Sequence, residues 1–162
     1  MNNQTALTSL NDCATELTKL QQIINQVGQS DTIVPFLTNY AVIKCCGTIE
    51  ICFKIIISDF HNSLPQQAKN YIENTFLYSS MNPNKDNICK SLLNFDVQWN
   101  VNFKAKLSGE SNKSRIESSL RSLNEARNTF AHGGNPGVSF SSVVTYFNDS
   151  KRVIELLDEI VV

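Results

Sequence analysis

The sequence predicts an all-α protein, a bundle of helices. Three observations carry that reading. Apolar residues recur at spacings of three, four and seven over most of the 162 residues. The most apolar stretch, residues 33–61, is too long for a strand and contains no turn to divide it. The densest breaker cluster, Gly133-Gly134-Asn135-Pro136-Gly137, separates two periodic segments rather than interrupting one.

Each element follows from its own pattern. Residues 5–27 set Leu7, Leu10, Ala14, Leu17, Ile24 and Val27 along one helix face, ended by Gly28 and Gln29-Ser30-Asp31. A second helix covers about 33–61, with Pro35 in its first turn, where the missing N–H has no helical partner to lose. It is apolar most of the way round, which implies a central position. Lys44, Glu50 and Lys54 lie inside this run and argue for a buried helix rather than a membrane span. Pro65 starts a third helix to about Tyr78, with Tyr71, Ile72, Phe76 and Leu77 as its apolar positions. Residues 79–87 read as a loop. Residues 88–108 stay open: Ile88, Leu92 and Leu93 have helical spacing, while Val97, Trp99, Val101 and Phe103 alternate. A helix over about 112–132 stops at the glycine-rich cluster. The last, about 139–161, starts at Ser139 as N-cap and carries a stripe of Phe140, Val143, Val144, Phe147, Ile154, Leu157 and Val161. Its second apolar row, Val153, Leu156 and Ile160, exceeds one core face and points to a two-fold homodimer.

Composition bounds the function. A hydrophobic content of 41% excludes general disorder, and the length suits one domain over 1–162 with no room for a second catalytic one. Fourteen basic against fifteen acidic residues exclude a wholesale polyanion binder. The charge is nevertheless uneven. Residues 104–127 hold six basic side chains against three acidic ones, net +3, and the remainder is net −4, a local approach suited to phosphates. Five cysteines without a Cys-x-x-Cys pair, and only two histidines, give a zinc site little to work with, so no metal or cofactor is expected. Free thiols at apolar positions fit a reducing cytoplasm, and Met1–Thr5 lacks the start of a signal peptide.

One segment carries chemistry. From Ile116 an apolar stripe runs through Leu120, Leu123 and Phe130, and the missing member of the series is Arg127. At about 100° per residue, a guanidinium stands where a leucine was due, and a buried charge needs a partner. Asn128 and His132, four apart, share the opposite polar face with Glu117, Arg121 and Glu125. Arg127 and His132 are about 140° apart around the helix and bracket a groove.

Arg127-Asn128-Thr129-Phe130-Ala131-His132-Gly133 resembles the signature of the HEPN superfamily, an Arg, a polar residue and a His four to six positions on. The resemblance extends to Tyr40–Phe53, where Cys46-Gly47-Thr48-Ile49-Glu50 looks like the acidic site on an early core helix, and to the long final helix. It is nearest to the RiboL-PSP type found in prokaryotic conflict and defence systems. The resemblance implies a metal-independent endoribonuclease acting as a homodimer, the motif helices of two protomers lining one cleft. It makes RNA the substrate and an antitoxin or defence protein the further partner. By the same resemblance His132 shuttles the proton between the 2′-hydroxyl and the leaving oxygen, and Arg127 steadies the phosphorane-like charge. Asn128 orients the phosphate or the imidazole, and Glu50 holds Arg127 or His132. The residue types suit the task, since imidazole titrates near neutrality and arginine offers a fixed fork of donors. Some HEPN toxins carry a Tyr two residues after the His that a nucleotidyltransferase antitoxin modifies. Here that residue is Gly134, so this route is not implied.

Structural alternatives stand beside each residue. His132 also suits a helix C-terminus through the dipole. Arg127 also suits a buried ion pair with Glu50, and Glu50 a simple pair with Lys54 one turn on. His61 reads as a solvated helix end, and Trp99 as core. A non-catalytic binding module and a purely structural dimerisation unit are the functional alternatives.

Overall fold

The first helix, α1 (Gln4–Val27), starts where the Asn3 side chain accepts from the Ala6 N–H at 2.9 Å. This computed structural model describes residues 1–162 as seven α-helices and one π-helical turn, with no strand. Asp158, near the other end of the chain, accepts from the backbone N–H groups of Asn2 and Asn3 and ties the N-terminus to the last helix.

Helix α2 (Val34–Phe60) is the long apolar run, unbroken through its β-branched Ile49–Ile57 segment. It packs against α1, α6 (Lys113–Ala131) and α7 (Phe140–Ile160), and so occupies the centre that its composition implies. Its two lysines are both paired, Lys44 at the partly exposed edge and Lys54 in the interior. Lys44 meets Glu16 of α1 at 2.7 Å, and Lys54 meets Glu50 at 2.6 Å. One face of α2 stays outside, with Phe36, Tyr40, Ile43 and Ile51 all exposed along a single row. The core is one contiguous cluster of 35 buried apolar residues, and all five cysteines are free and buried within it.

The third helical run extends to Leu77, close to the expected Tyr78, but it is not α-helical throughout. Helix α3 (Gln66–Ile72) widens into a π-helical turn at Glu73–Leu77. The widened turn brings Phe76 into contact with Phe53 at 5.5 Å and Phe95 at 5.0 Å between ring centroids, whereas Tyr71 is exposed. The loop is also shorter than expected. Asn84 accepts from the Asn87 N–H at 2.8 Å and starts α4 (Lys85–Phe95).

The open segment forms two helices, α4 and α5 (Val97–Gly109), broken at Asp96. Asp96 is extended, accepts from the Gln98 and Trp99 N–H groups, and caps α5. The strand-like alternation has a helical cause. Trp99 and Phe103, four apart, face inward, while Val97 and Val101, four apart, face out. Trp99 is core, as expected. Because α5 packs on α7, the second apolar row of α7 is interior: Val153, Leu156 and Ile160 are 2%, 1% and 4% exposed. This corrects the expectation that the row forms a dimer contact.

His61 is also corrected. It stacks on Phe95 with centroids 5.3 Å apart, beside Phe60 and Trp99, and burial pushes its imidazole pKa below the ordinary value. It belongs to the aromatic cluster between the end of α2 and α5.

Candidate functional site

Helix α6 buries Ile116, Ser119, Leu120, Leu123, Asn124 and Ala126. The apolar stripe does not continue to Phe130, which is 39% exposed because the last turn of α6 projects beyond the core. Where α6 leaves the core, its inner face turns polar. Asn124 accepts from the Cys46 thiol at 3.6 Å, and burial pushes that thiol pKa up to about 12, so it stays neutral. Arg127 and Asn128 follow, both half-buried.

Arg127 Nη1 donates to Asn82 Oδ1 at 2.7 Å and, at 3.4 Å, to Asn128 Oδ1. Asn82 Nδ2 in turn donates to Asn128 Oδ1 at 3.0 Å. Asn128 therefore turns toward Arg127 rather than standing on the opposite face with Glu117, which is engaged by Lys85 at 2.7 Å. No carboxylate pairs with Arg127, so the ion pair with Glu50 does not form. One guanidinium nitrogen takes both contacts, and Nε and Nη2 have no acceptor within the chain.

Glu50 contacts neither Arg127 nor His132 through a hydrogen bond. Its carboxylate receives the Lys54 ammonium at 2.6 Å and the Met81 N–H at 2.8 Å. Lys54 also donates to the Ser79 carbonyl. The pairing alternative for Glu50 is what the structure contains, with the addition that the pair grips the segment leading to Asn82. Sequence reading assigned that segment to a loop and missed Asn82; nothing in its spacing signals a contact 45 residues away.

His132 is exposed at the C-cap of α6, its backbone N–H closing on the Asn128 carbonyl at 3.1 Å. Two bonds lock the cap. Gly133 N–H reaches the Phe130 carbonyl and Gly134 N–H the Thr129 carbonyl, each at 2.9 Å, with Gly133 at φ +80°. This is a Schellman closure, and it fixes where the chain carries the imidazole. Gly134 has a second constraint, since a Cβ there would stand 2.9 Å from Thr129 Cγ2 and 3.1 Å from the Thr129 carbonyl oxygen, so a larger residue requires Thr129 to shift.

None of the larger cavities is lined by Arg127, Asn128 or His132; they occupy an open face. No group of three or more His, Cys, Asp or Glu side chains is gathered anywhere as a metal cradle, and no helix is long and apolar enough to cross a membrane. Fold and motif together define the class, an all-helical HEPN-type domain with an Arg-x4-His helix end. The chain belongs to the RiboL-PSP-HEPN family, whose model matches residues 8–162. HEPN domains commonly bind RNA and dimerise, and ribonucleases are frequent among them. No curated protein and no solved structure gives a significant match to the chain.

Proposed function

We propose that this protein is a metal-independent endoribonuclease of toxin or antiviral-defence type, working as a homodimer. The observation that carries the reading is the guanidinium of Arg127. It is half-buried, it lacks a carboxylate partner, and it keeps Nε and Nη2 free on the helix turn that ends at an exposed histidine. A structural arginine is normally held by a counter-ion. One with a free donor fork is ready for an anion of phosphate geometry.

In this reading RNA supplies its own nucleophile. His132 takes the proton of the ribose 2′-hydroxyl as that oxygen attacks the adjacent phosphorus. The P–O5′ bond breaks, and a proton returned by imidazole leaves the departing oxygen as a 5′-hydroxyl. Arg127 binds the non-bridging oxygens as charge builds on them. Asn128 orients phosphate or Arg127. Glu50 contributes through the loop it fastens.

An open face on one protomer gives RNA a single wall, and a mate supplies the other. The exposed row of α2 fits that mate. Phe36, Tyr40, Ile43 and Ile51 flank Gly47, an exposed mid-helix glycine with nothing within 4 Å of its absent side chain. Glycine weakens a helix by roughly 0.5–1 kcal/mol, and close approach of a second helix accounts for its presence. The row includes Gly47, next to Cys46, whose thiol touches Asn124 of α6 one turn before Arg127, so a mate paired on this row lies beside the site.

The test is incubation of the purified protein with single-stranded RNA in the presence of chelator. Cleavage that disappears in His132→Ala supports the proposal. An intact substrate with retained binding that depends on Arg127 replaces it with the binding-module reading.

A further inference from the structure

Lys54 is the feature that the proposed chemistry does not use. Its side chain is 2% exposed in the middle of α2, where a lysine needs a strong reason to be. Its two acceptors are the Glu50 carboxylate and the Ser79 carbonyl, and the second Glu50 contact is the Met81 N–H. Lysine and glutamate thus hold one peptide segment by an acceptor and a donor two residues apart.

The same segment is anchored at its other end. The Asn82 carbonyl accepts from Asn87 Nδ2 at 2.9 Å and from the Asn84 N–H at 2.8 Å, both at the start of α4. Pro83 between them is buried. Residues 79–84 therefore form a strap fixed to α2 and to α4, and the only side chain it delivers to α6 by hydrogen bond is Asn82. The Asn82 amide is oriented without ambiguity. Its oxygen faces a guanidinium, which only donates, and its nitrogen faces the Asn128 amide oxygen, which only accepts.

We infer that Asn82 is a positioning residue for Arg127, and that the buried Lys54–Glu50 pair fastens the strap that holds it there. Asn82 occupies one edge of the guanidinium and sets its plane, so that Nε and Nη2 point outward as a preformed fork. The alternative, a guanidinium swinging on a flexible stem, would have to reorganise as charge builds on the phosphate oxygens in the transition state. The consequence for cleavage rests on the ribonuclease reading. The restraint on Arg127 does not, and it has its own measurement.

That measurement is the rotation of the Arg127 guanidinium about its Nε–Cζ bond, followed by ¹⁵N exchange NMR on the full chain. In wild type the rotation is slow. Asn82→Ala accelerates it at least about tenfold, the scale of one lost hydrogen bond to a charged group. Asn82→Asp, which keeps an acceptor in place, restores slow rotation. Lys54→Met accelerates it as well, with Asn82 intact. Equal rotation rates in wild type and Asn82→Ala overturn the inference, whether or not the protein cuts RNA.

Where RNA is cut, a double-mutant cycle gives the functional counterpart. Asn82→Ala lowers kcat about tenfold with little change in KM, and costs nothing further in an Arg127→Ala background. An equal loss in both backgrounds means that Asn82 acts on the fold or on RNA directly, and overturns its role through Arg127. Absence of cleavage by wild type, with guanidinium rotation still dependent on Asn82, rejects the ribonuclease reading and leaves the positioning role standing.

Discussion

Lys54 and Glu50, one turn apart on α2, meet at 2.6 Å with only 2% of the lysine side chain exposed. Deleting one member leaves the other charge without compensation in a largely dry place. Lys54→Met should destabilise the protein by about 2–3 kcal/mol in urea denaturation, less than a fully enclosed pair because Glu50 keeps 17% exposure. The double variant Glu50→Gln/Lys54→Met should recover part of that loss. A single variant as stable as wild type would show that the pair is not needed.

The cap after His132 makes a second prediction. Gly133 sits at φ +80°, where a Cβ is strained. Gly133→Ala should cost about 1 kcal/mol of stability. It should also lower RNA cleavage by more than that stability loss explains, since the imidazole is displaced. Unchanged activity in a destabilised Gly133→Ala protein would mean that the closure serves the helix alone.

His61 predicts a pH dependence of stability. Burial among Phe60, Phe95 and Trp99 lowers its pKa in the folded state, with Asp59, Lys69 and Glu73 lining the same crevice. As pH falls below the unfolded value of about 6.5, the unfolded chain takes the proton first. Stability is therefore full above that pH and declines below it. Tm should drop between pH 7 and pH 5, and His61→Phe should flatten that decline while keeping the stacked ring. An identical slope in His61→Phe would place the titration elsewhere.

The α2 row predicts the assembly. Sedimentation should give a dimer at micromolar concentration, and Ile43→Glu or Gly47→Glu should give a folded monomer with reduced RNA cleavage. A wild-type monomer would remove the composite cleft from the proposal.

Periodicity located α1, α6 and α7 to within two residues because each has a clear inside and outside, and α2 was located instead by the length of its unbroken apolar run. It failed at residues 88–108, where two inward and two outward residues of α5 interleave as if alternating, and where the break is a capping aspartate rather than a glycine or proline. That failure propagated. Without α5, the row Val153, Leu156 and Ile160 looked surplus, although it is core. In the site, the interrupted stripe pointed to Arg127, and the breaker cluster to the helix end at His132. Asn82 was invisible, since its contacts join segments distant in sequence through a loop without periodicity. Glu50 was chosen for its setting, but its partners, Lys54 and the Met81 N–H, depend on a strap whose path no local pattern encodes.

The three motif residues should separate by magnitude. His132→Ala should lower cleavage by roughly 100-fold or more, as loss of a general acid–base group does. Arg127→Lys should also be damaging, because an ammonium cannot meet Asn82 and grip two phosphate oxygens in one plane. Asn128→Ala should be mildest. Equal rates for all three variants and wild type would remove α6 from the chemistry.

The chemical ends of the products test the central claim most directly. RNA cut by the wild-type protein in chelator should carry a 2′,3′-cyclic phosphate on one fragment and a 5′-hydroxyl on the other, read by mass spectrometry, because the 2′-oxygen is the nucleophile. Fragments bearing a 5′-phosphate and a 3′-hydroxyl would mean that water attacks instead, and would contradict the roles given to His132 and Arg127.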